Sequence, residues 1–230
     1  MSQRNLEKVF IVIPVYNEEK IILSVIEEIQ KAGFPDLIFV DDGSSDNTYR
    51  KIKDLKGIVA LRHQINRGKG AAIKTGIECA KILKADVVVT LDGDGQHNPQ
   101  EIHKMLKLLQ EDYDVVLGSR MMNCLGMPFH KIIANKIANI ITWLIYGLHV
   151  TDSQSGFRAF SKKAIFSINT KGDGYEYDSE VIREIKKKGL KYKEIPIEVR
   201  YTAYSMGKVQ KQGFINGVKT VLRMFWSLIS

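Results

Sequence analysis

Five short runs of almost unbroken apolar residues, Val9 to Val15, Leu37 to Asp41, Ile58 to Arg62, Val87 to Leu91 and Val115 to Ser119, punctuate the first 120 residues of this chain. Runs of that length, rich in valine and isoleucine, read as strands buried on both faces, because a strand with one wet face alternates apolar with polar residues. Between them the chain carries helical signals, which predict helices over Glu18 to Ala32, Asp46 to Leu55, Gly68 to about Leu83 and Pro99 to Gln110. Strand alternating with helix leads to an α/β architecture: a mostly parallel, Rossmann-like sheet with helices on both faces.

After Arg120 the alternation fails. A long helix from Phe129 to about Leu148, a polar turn Asp152-Ser153-Gln154-Ser155-Gly156 and shorter pieces are expected as an elaboration over the carboxyl edge of the sheet. With 230 residues, 44% hydrophobic, and neither repeat nor low-complexity tract, the chain suits one sizeable domain. The expected division is a catalytic unit over 1–205, with halves 1–120 and 121–205, and an amphipathic stretch over 206–230. In that stretch Phe214, Val218, Val221, Leu222, Phe225 and Ile229 recur at helical spacing, and Trp226 adds an interfacial aromatic. No run offers the ~20 nearly uncharged residues of a spanning helix.

The formal net charge is +8, and Arg183, Lys186, Lys187, Lys188, Lys191 and Lys193 crowd into eleven residues. Such a run is a solvated helix face or a surface for an anion such as an acidic lipid headgroup. Basic residues interleaved with aromatics are not seen, and acidic clusters would repel phosphate without metal, so no nucleic-acid partner is expected. Cys79 and Cys124 lack metal-ligand spacing and read as reduced thiols of a cytosolic protein. The polar start, Met1 to Lys8, shows no secretory pattern.

Each predicted strand ends in chemistry. Asp92 and Asp94 stand two positions apart just beyond the fourth, followed by Gly95 and a proline-led helix. Paired carboxylates there serve either as turn and cap residues or as hard oxygen ligands for Mg²⁺ or Mn²⁺, which binds through one or two carboxylates plus substrate phosphates. The first strand runs into Pro14-Val15-Tyr16-Asn17-Glu18, where proline is expected to stop the ladder and Asn17 to cap a helix. The second ends in Asp41-Asp42-Gly43-Ser44-Ser45-Asp46; capping by Ser45 or Asp46 leaves the Asp41-Asp42 pair unexplained, and such acids accept from a ribose diol or a base N–H. The third leads to Asn66-Arg67-Gly68-Lys69-Gly70, which lacks P-loop spacing but suits a diphosphate near a helix N-terminus. The five histidines share no spacing and read as surface or core residues, although His97 adjoins the Asp92-Asp94 loop. Glu176, Asp178 and Glu180 begin a helix, where acids favour the macrodipole; a sugar- or acceptor-facing role is the sharper reading.

Taken in order, Pro14 to Glu18, Val40 to Asp46, Asn66 to Ala72, Asp92 to His97, Gly118-Ser119-Arg120 and Asp152 to Arg158 resemble the family 2 glycosyltransferases of GT-A fold, and within them the dolichyl-phosphate mannose synthase group. The resemblance implies metal-dependent, inverting transfer of a hexose from a nucleotide sugar to dolichyl or polyprenyl phosphate on the cytoplasmic face of a membrane. GDP-mannose, UDP-glucose or UDP-N-acetylglucosamine would be the donor. It assigns Pro14, Tyr16, Glu18 and Asp42 to the nucleoside, and Asp92, Asp94 and Gln96 to Mg²⁺ or Mn²⁺. Lys69, Arg200 and Lys208 would reach the diphosphate, while Arg120, Lys131 and Asn135 would hold the acceptor phosphate. Asp152 and Gln154 belong to the sugar or acceptor pocket.

Two departures qualify the likeness. Gly93 between the acids is expected to loosen the turn, and the spanning helices that some relatives carry after the catalytic domain are missing, so attachment to the membrane surface would fall to amphipathic helices or a separate subunit. An alternative is transfer to a soluble sugar or glycan hydroxyl; a Gln-x-x-Arg-Trp motif of processive members is absent. A non-enzymatic basic nucleotide-binding module is the remaining alternative.

Overall fold

The computed structural model describes residues 6–124 and 126–200. In chain order its elements are β1 (Val9–Val15), α1 (Ile22–Lys31), β2 (Leu37–Asp41), α2 (Thr48–Ile52), β3 (Ile58–Arg62), α3 (Lys69–Ile82), β4 (Val87–Thr90), a 3-10 turn (Pro99–Glu101) leading into α4 (Ile102–Gln110), β5 (Val115–Ser119), α5 (Phe129–Tyr146), β6 (Arg158–Ser161), α6 (Lys162–Ser167), α7 (Glu176–Lys187) and β7 (Tyr192–Pro196). The five apolar runs all form strands. Only β4 differs, ending one residue early at Thr90.

The seven strands make one sheet in the order β3-β2-β1-β4-β6-β5-β7. All neighbours pair in parallel except β6, which lies antiparallel between β4 and β5. The region after Arg120 therefore does more than overlie the carboxyl edge, because it threads β6 and β7 into the sheet itself. Neither carries the expected signal: β6 is four residues long and opens on an arginine, and β7 is Tyr-Lys-Glu-Ile-Pro. Arg158 is 1% exposed and largely paired, donating from Nε to the Ser155 carbonyl and from Nη2 to the Ser153 carbonyl, both at 2.9 Å, while Nη1 has no partner among the described residues. A buried guanidinium is tolerable only with such partners, and they come from tertiary structure.

Side chains alternate across the sheet and divide the core into two layers. Ile11, Ile13, Phe39 and Val89 pack with Ile22, Ile29, Ile102, Met105 and Leu109 of α1 and α4. On the opposite face Val12, Val40 and Val88 meet Ala72, Ile73, Ile165, Val181 and Ile185 of α3, α6 and α7. Each buried aliphatic chain contributes about 1.5–3 kcal/mol, which holds the parallel strands in register. Their carboxyl ends then share one edge, and β6 starts there.

Local chemistry at that edge departs from two expectations. Pro14 ends only one ladder: β1 pairs with β4 as far as Val12 and with β2 through Val15. Helix α1 begins at Ile22 rather than Glu18, and Ile21 at its start offers no side-chain cap. Asn17 instead takes a left-handed conformation, φ 56°, and its Oδ1 accepts from the Ser45 amide at 2.9 Å, tying the β1 loop to the β2 loop. The 206–230 stretch and Lys208 lie outside the described residues. Among the described residues, no helix is long and apolar enough to cross a membrane.

Candidate active site

Asp92 and Asp94 emerge at the carboxyl end of β4, near the middle of the sheet. A Cβ on Gly93 would lie 2.6 Å from Val15 Cγ1 and 3.0 Å from the Pro14 carbonyl oxygen. Gly93 thus lets the loop press against β1, and the expectation that it loosens the turn is corrected: close approach tightens it. The Gln96 amide donates to Asp94 Oδ1 at 3.1 Å. Behind the loop, buried His97 packs against Phe157 with ring centroids 5.1 Å apart, and its Nε2 lies 3.6 Å from Asp92 Oδ2.

A line of alternating charges ties this loop to three other elements. Lys69, the first residue of α3, places Nζ 2.8 Å from Asp92 Oδ1 and 3.3 Å from Asp178 Oδ2 on α7, and Asp178 Oδ1 lies 3.8 Å from Arg158 Nη2 on β6. Burial would lower the Lys69 ammonium, but Asp178 and then Asp92 outweigh it and hold the pKa above the ordinary lysine range. Burial would likewise raise the Asp92 carboxyl, yet Lys69 and His97 keep it below the usual carboxylate range. Gly156 makes room for the pair, since a Cβ there would meet Lys69 Nζ at 2.5 Å and Asp92 Oδ1 at 2.7 Å. Lys69→Met is expected to lower stability by about 2 kcal/mol, less than a fully buried pair because one side is open to water. Added Mn²⁺ should then raise the variant's melting temperature more than the parent's, because the metal can take over Asp92; equal shifts would contradict the arrangement.

Among the described residues no cation contacts Asp94 in this way. Burial and then the Asp92 charge push its carboxyl up. Among the described residues no group of three or more His, Cys, Asp and Glu side chains gathers as a metal site; the loop itself offers the carboxylates of Asp92 and Asp94. Two hard oxygen donors carrying excess negative charge, with the remaining positions left to phosphate and water, fit Mg²⁺ or Mn²⁺.

The β1 and β2 ends flank this loop. Tyr16 is 45% exposed, Pro14 half-buried and Glu18 buried. Asp42 is buried and engaged: Oδ1 meets His63 Nδ1 at 2.7 Å and the Arg67 amide at 3.0 Å, and Oδ2 accepts from the Gly68 amide at 2.7 Å. His63 Nε2 in turn lies 3.0 Å from Thr75 Oγ1. Asp41 is paired with Arg62 Nε at 3.1 Å. The adjacent acids coexist because one faces an arginine and the other orders the glycine-rich turn. His63, 21 residues from Asp42, had no sequence signal for that task.

The acids at the start of α7 also bind main chain. Glu180 Oε2 accepts from the Lys171 and Gly172 amides at 2.7 and 2.9 Å, and Glu176 Oε1 from the Gly174 amide at 3.0 Å. They fix the loop whose Asp173 carbonyl accepts from the Ala71 amide of α3 at 3.0 Å.

On the other side of the metal loop stands Arg120, directly after β5. Asp152, fully buried, holds its guanidinium by a fork: Nε to Oδ2 at 2.7 Å and Nη2 to Oδ1 at 2.8 Å, with the Arg120 amide on Oδ2 at 2.9 Å. Lys131 on α5 shares this space, since burial and then Arg120 lower its ammonium pKa while Asp94 draws it up. Asn135 Nδ2 contacts Met127 Sδ at 3.9 Å, and Gln154 Nε2 donates to Ser179 Oγ at 2.9 Å. Asn139, not singled out in the sequence, accepts from the Ser153 amide at 2.8 Å and so shapes the Asp152–Gly156 turn. Arg200 reaches the metal loop through its main chain, its amide on the Gln96 carbonyl at 2.9 Å, while its guanidinium pairs with Glu28 Oε2 at 2.9 Å. Lys69, Asp92, Asp94, Arg120 and Lys131 are thus gathered at one edge, and the Arg200 side chain points to α1.

Comparison with known proteins identifies the family and the fold. The family described as Glycosyl transferase family 2 matches residues 10–167. An uncharacterised protein of Methanocaldococcus jannaschii is 42% identical over 235 residues, covering 100% of this chain and 96% of that one. A UDP-N-acetylglucosamine–dolichyl-phosphate N-acetylglucosaminyltransferase of Methanococcus voltae is 39% identical over 222 residues, 87% of this chain and 88% of that one. Among solved structures, glucosyl-3-phosphoglycerate synthase from Mycobacterium tuberculosis in complex with Mn²⁺, UDP-glucose and phosphoglyceric acid superposes with a TM-score of 0.69 at 21% identity, covering 94% of this chain and 79% of that one.

Proposed function

The chain belongs to glycosyltransferase family 2 and is a glycosyltransferase of GT-A-like fold, and from that premise we propose that it transfers a hexose or N-acetylhexosamine from a nucleoside diphosphate sugar to dolichyl or polyprenyl phosphate, with inversion. One observation carries the reading: directly after β5, at the same sheet edge as Asp92 and Asp94, the buried Asp152 holds the Arg120 guanidinium in a bidentate fork, so a cation is fixed beside the Asp92–Asp94 loop. A sugar hydroxyl has no need of a fixed cation, whereas an acceptor phosphate beside a diphosphate donor must be shielded from it. The similar Methanococcus voltae protein, named for a dolichyl-phosphate acceptor and a UDP-N-acetylglucosamine donor, supports the same reading.

In this proposal residues 1–120 take the donor and 121–205 the acceptor. The exposed Tyr16 ring receives the base, with Pro14, Glu18 and Asp42 framing the nucleoside. Mg²⁺ or Mn²⁺ bound by Asp92 and Asp94, with Gln96, would neutralise the charge that develops on the departing diphosphate. Lys69 and Lys208 add positive charge on the same group, whereas Arg200, its guanidinium held by Glu28, meets the loop through its main chain alone. Arg120, oriented by its fork on Asp152, supplies positive charge to the acceptor, joined by Lys131, with Asn135 and Gln154 lining the pocket. A phosphate monoester is largely ionised at neutral pH, so the attacking oxygen needs no strong base, and single displacement proceeds without a covalent enzyme intermediate. The acceptor's lipid tail would keep the enzyme at a membrane surface, and a nucleotide-sugar donor favours the cytoplasmic face.

The test is incubation with a panel of labelled GDP- and UDP-sugars, polyprenyl phosphate in detergent, and Mg²⁺, Mn²⁺ or chelator. Label extracted into organic solvent that vanishes with chelator is the expected result and identifies the donor. Label appearing only on a water-soluble acceptor would overturn the lipid acceptor while leaving glycosyl transfer intact.

A further inference from the structure

Lys69 stands on a turn that is held from two sides. Toward α7 the turn has no room to move: a Cβ on Gly68 would collide with the Asp173 carbonyl oxygen, one on Gly70 would lie 2.7 Å from Tyr177 Cβ, and the Ala71 amide donates to the Asp173 carbonyl at 3.0 Å. Toward β2 it hangs from a single side chain, because the Arg67 and Gly68 amides both donate to the Asp42 carboxylate. These amides are taken by protein oxygens. What the turn brings to the Asp92–Asp94 loop is the Lys69 ammonium, 2.8 Å from Asp92 Oδ1.

A carboxylate alone makes a loose anchor. The terminal torsion of an aspartate is broad and roughly two-fold, so its plane is set by whatever bonds it. His63 supplies that contact. It follows β3 directly, its amide donates to the Asp41 carbonyl at 2.9 Å, and the residue is only 9% exposed. Nδ1 stands 2.7 Å from Asp42 Oδ1, and because a carboxylate only accepts, Nδ1 is the donor. On the far side Nε2 lies 3.0 Å from Thr75 Oγ1 on α3, a hydroxyl able to donate to a neutral ring or accept from a charged one. The imidazole is thus fixed by β3 and α3, and it fixes in turn the carboxylate from which the start of α3 hangs.

We infer that His63 is a positioning residue of the candidate site: it sets the plane of Asp42, Asp42 sets the Arg67 and Gly68 amides, and those place the Lys69 ammonium against Asp92. The inference deepens the proposed function and rests on it for the donor diphosphate that Lys69 meets, while the geometry stands apart from any acceptor. A histidine that only filled space would need no more than its volume. This one engages both ring nitrogens with elements that converge on one turn. A displacement of about 1 Å at a reacting centre costs on the order of 10²-fold in rate, so a brace this far from the chemistry still bears on turnover.

Substitution on the full chain separates the two ring nitrogens. In H63N the side-chain amide nitrogen reaches where Nδ1 stands and keeps Asp42; in H63Q it reaches where Nε2 stands and keeps only Thr75. Amide hydrogen exchange at Arg67 and Gly68, read by NMR on the isotope-labelled protein, should quicken about tenfold in H63Q, and KM for the nucleotide sugar should rise about tenfold with the acceptor KM unchanged, as expected when one charge-assisted hydrogen bond that orients a binding group is lost. H63N should stay within about twofold of the parent in both readouts, because it retains that bond. Equal effects of H63N and H63Q, whether both impaired or both like the parent, would overturn the inference and leave His63 as a filler of space. Should H63Q fail to fold, the parent decides: the imidazole nitrogen shifts should place a proton on Nδ1, and a ring protonated at Nε2 alone would overturn the inference. The exchange contrast together with sugar transfer only to a water-soluble acceptor would sustain the positioning role and remove only the lipid acceptor.

Discussion

Asp94→Asn is expected to lower kcat/KM by about 10³-fold, in line with the loss of one group that stabilises leaving-group charge at a preorganised site. The side chain keeps its shape, so its main-chain contact with Gln96 can persist and the fold should melt near the parent's temperature. The decisive readout is Mn²⁺ affinity, titrated with and without nucleotide. Because burial and Asp92 already push the Asp94 carboxyl up, this pair carries unfavourable charge that a divalent cation relieves. Asn cannot supply that charge, so metal affinity and turnover should fall together. Asp94→Asn turning over at the parent's rate would remove the metal from the mechanism.

Arg120→Ala should lower kcat/KM for the acceptor by about 10²–10³-fold, with donor binding little changed, because a charge-assisted contact to the acceptor phosphate would be lost. Arg120→Lys should recover only part of this, since an ammonium cannot reproduce the fork on Asp152. Asp152→Asn should act in the same direction by freeing the guanidinium rather than by touching substrate. Its combination with Arg120→Ala should then cost little more than Arg120→Ala alone, the non-additivity expected of two groups that act as a unit. Fully additive losses, or a rise in donor KM alone, would move Arg120 out of the acceptor site.

Much of this site was legible before any coordinates. Strand ends are readable because a buried parallel strand needs a continuous apolar run, and the first polar residue after that run marks the carboxyl edge where ligands bind in open α/β sheets. Asp92, Asp94 and Arg120 are placed on that basis and by resemblance, and the structure brings them to the same sheet edge, on two strands separated by β6. What the residues there do to one another was not legible. Asp42 read as a ligand for a nucleoside, and it also holds the Arg67 and Gly68 amides with His63. Glu176 and Glu180 read as partners of a helix dipole, and they bind the amides of the preceding loop instead. Helix α5 was expected from its apolar periodicity, but which of its two faces turns outward could not be known from the period alone.

The order of residues by itself determined the first five strands, the helices between them and the point at which each strand gives way to polar side chains, because those features depend on local burial and on periods of two or 3.6 residues. Only tertiary structure decided that β6 and β7 join the sheet, that Lys69 bridges Asp92 to Asp178 across 109 positions of chain, and that the polar face of α5 turns inward. The physical reason is that a charged or polar group is stable in the interior only when its partner arrives, and partners so distant along the chain leave no periodic trace in it.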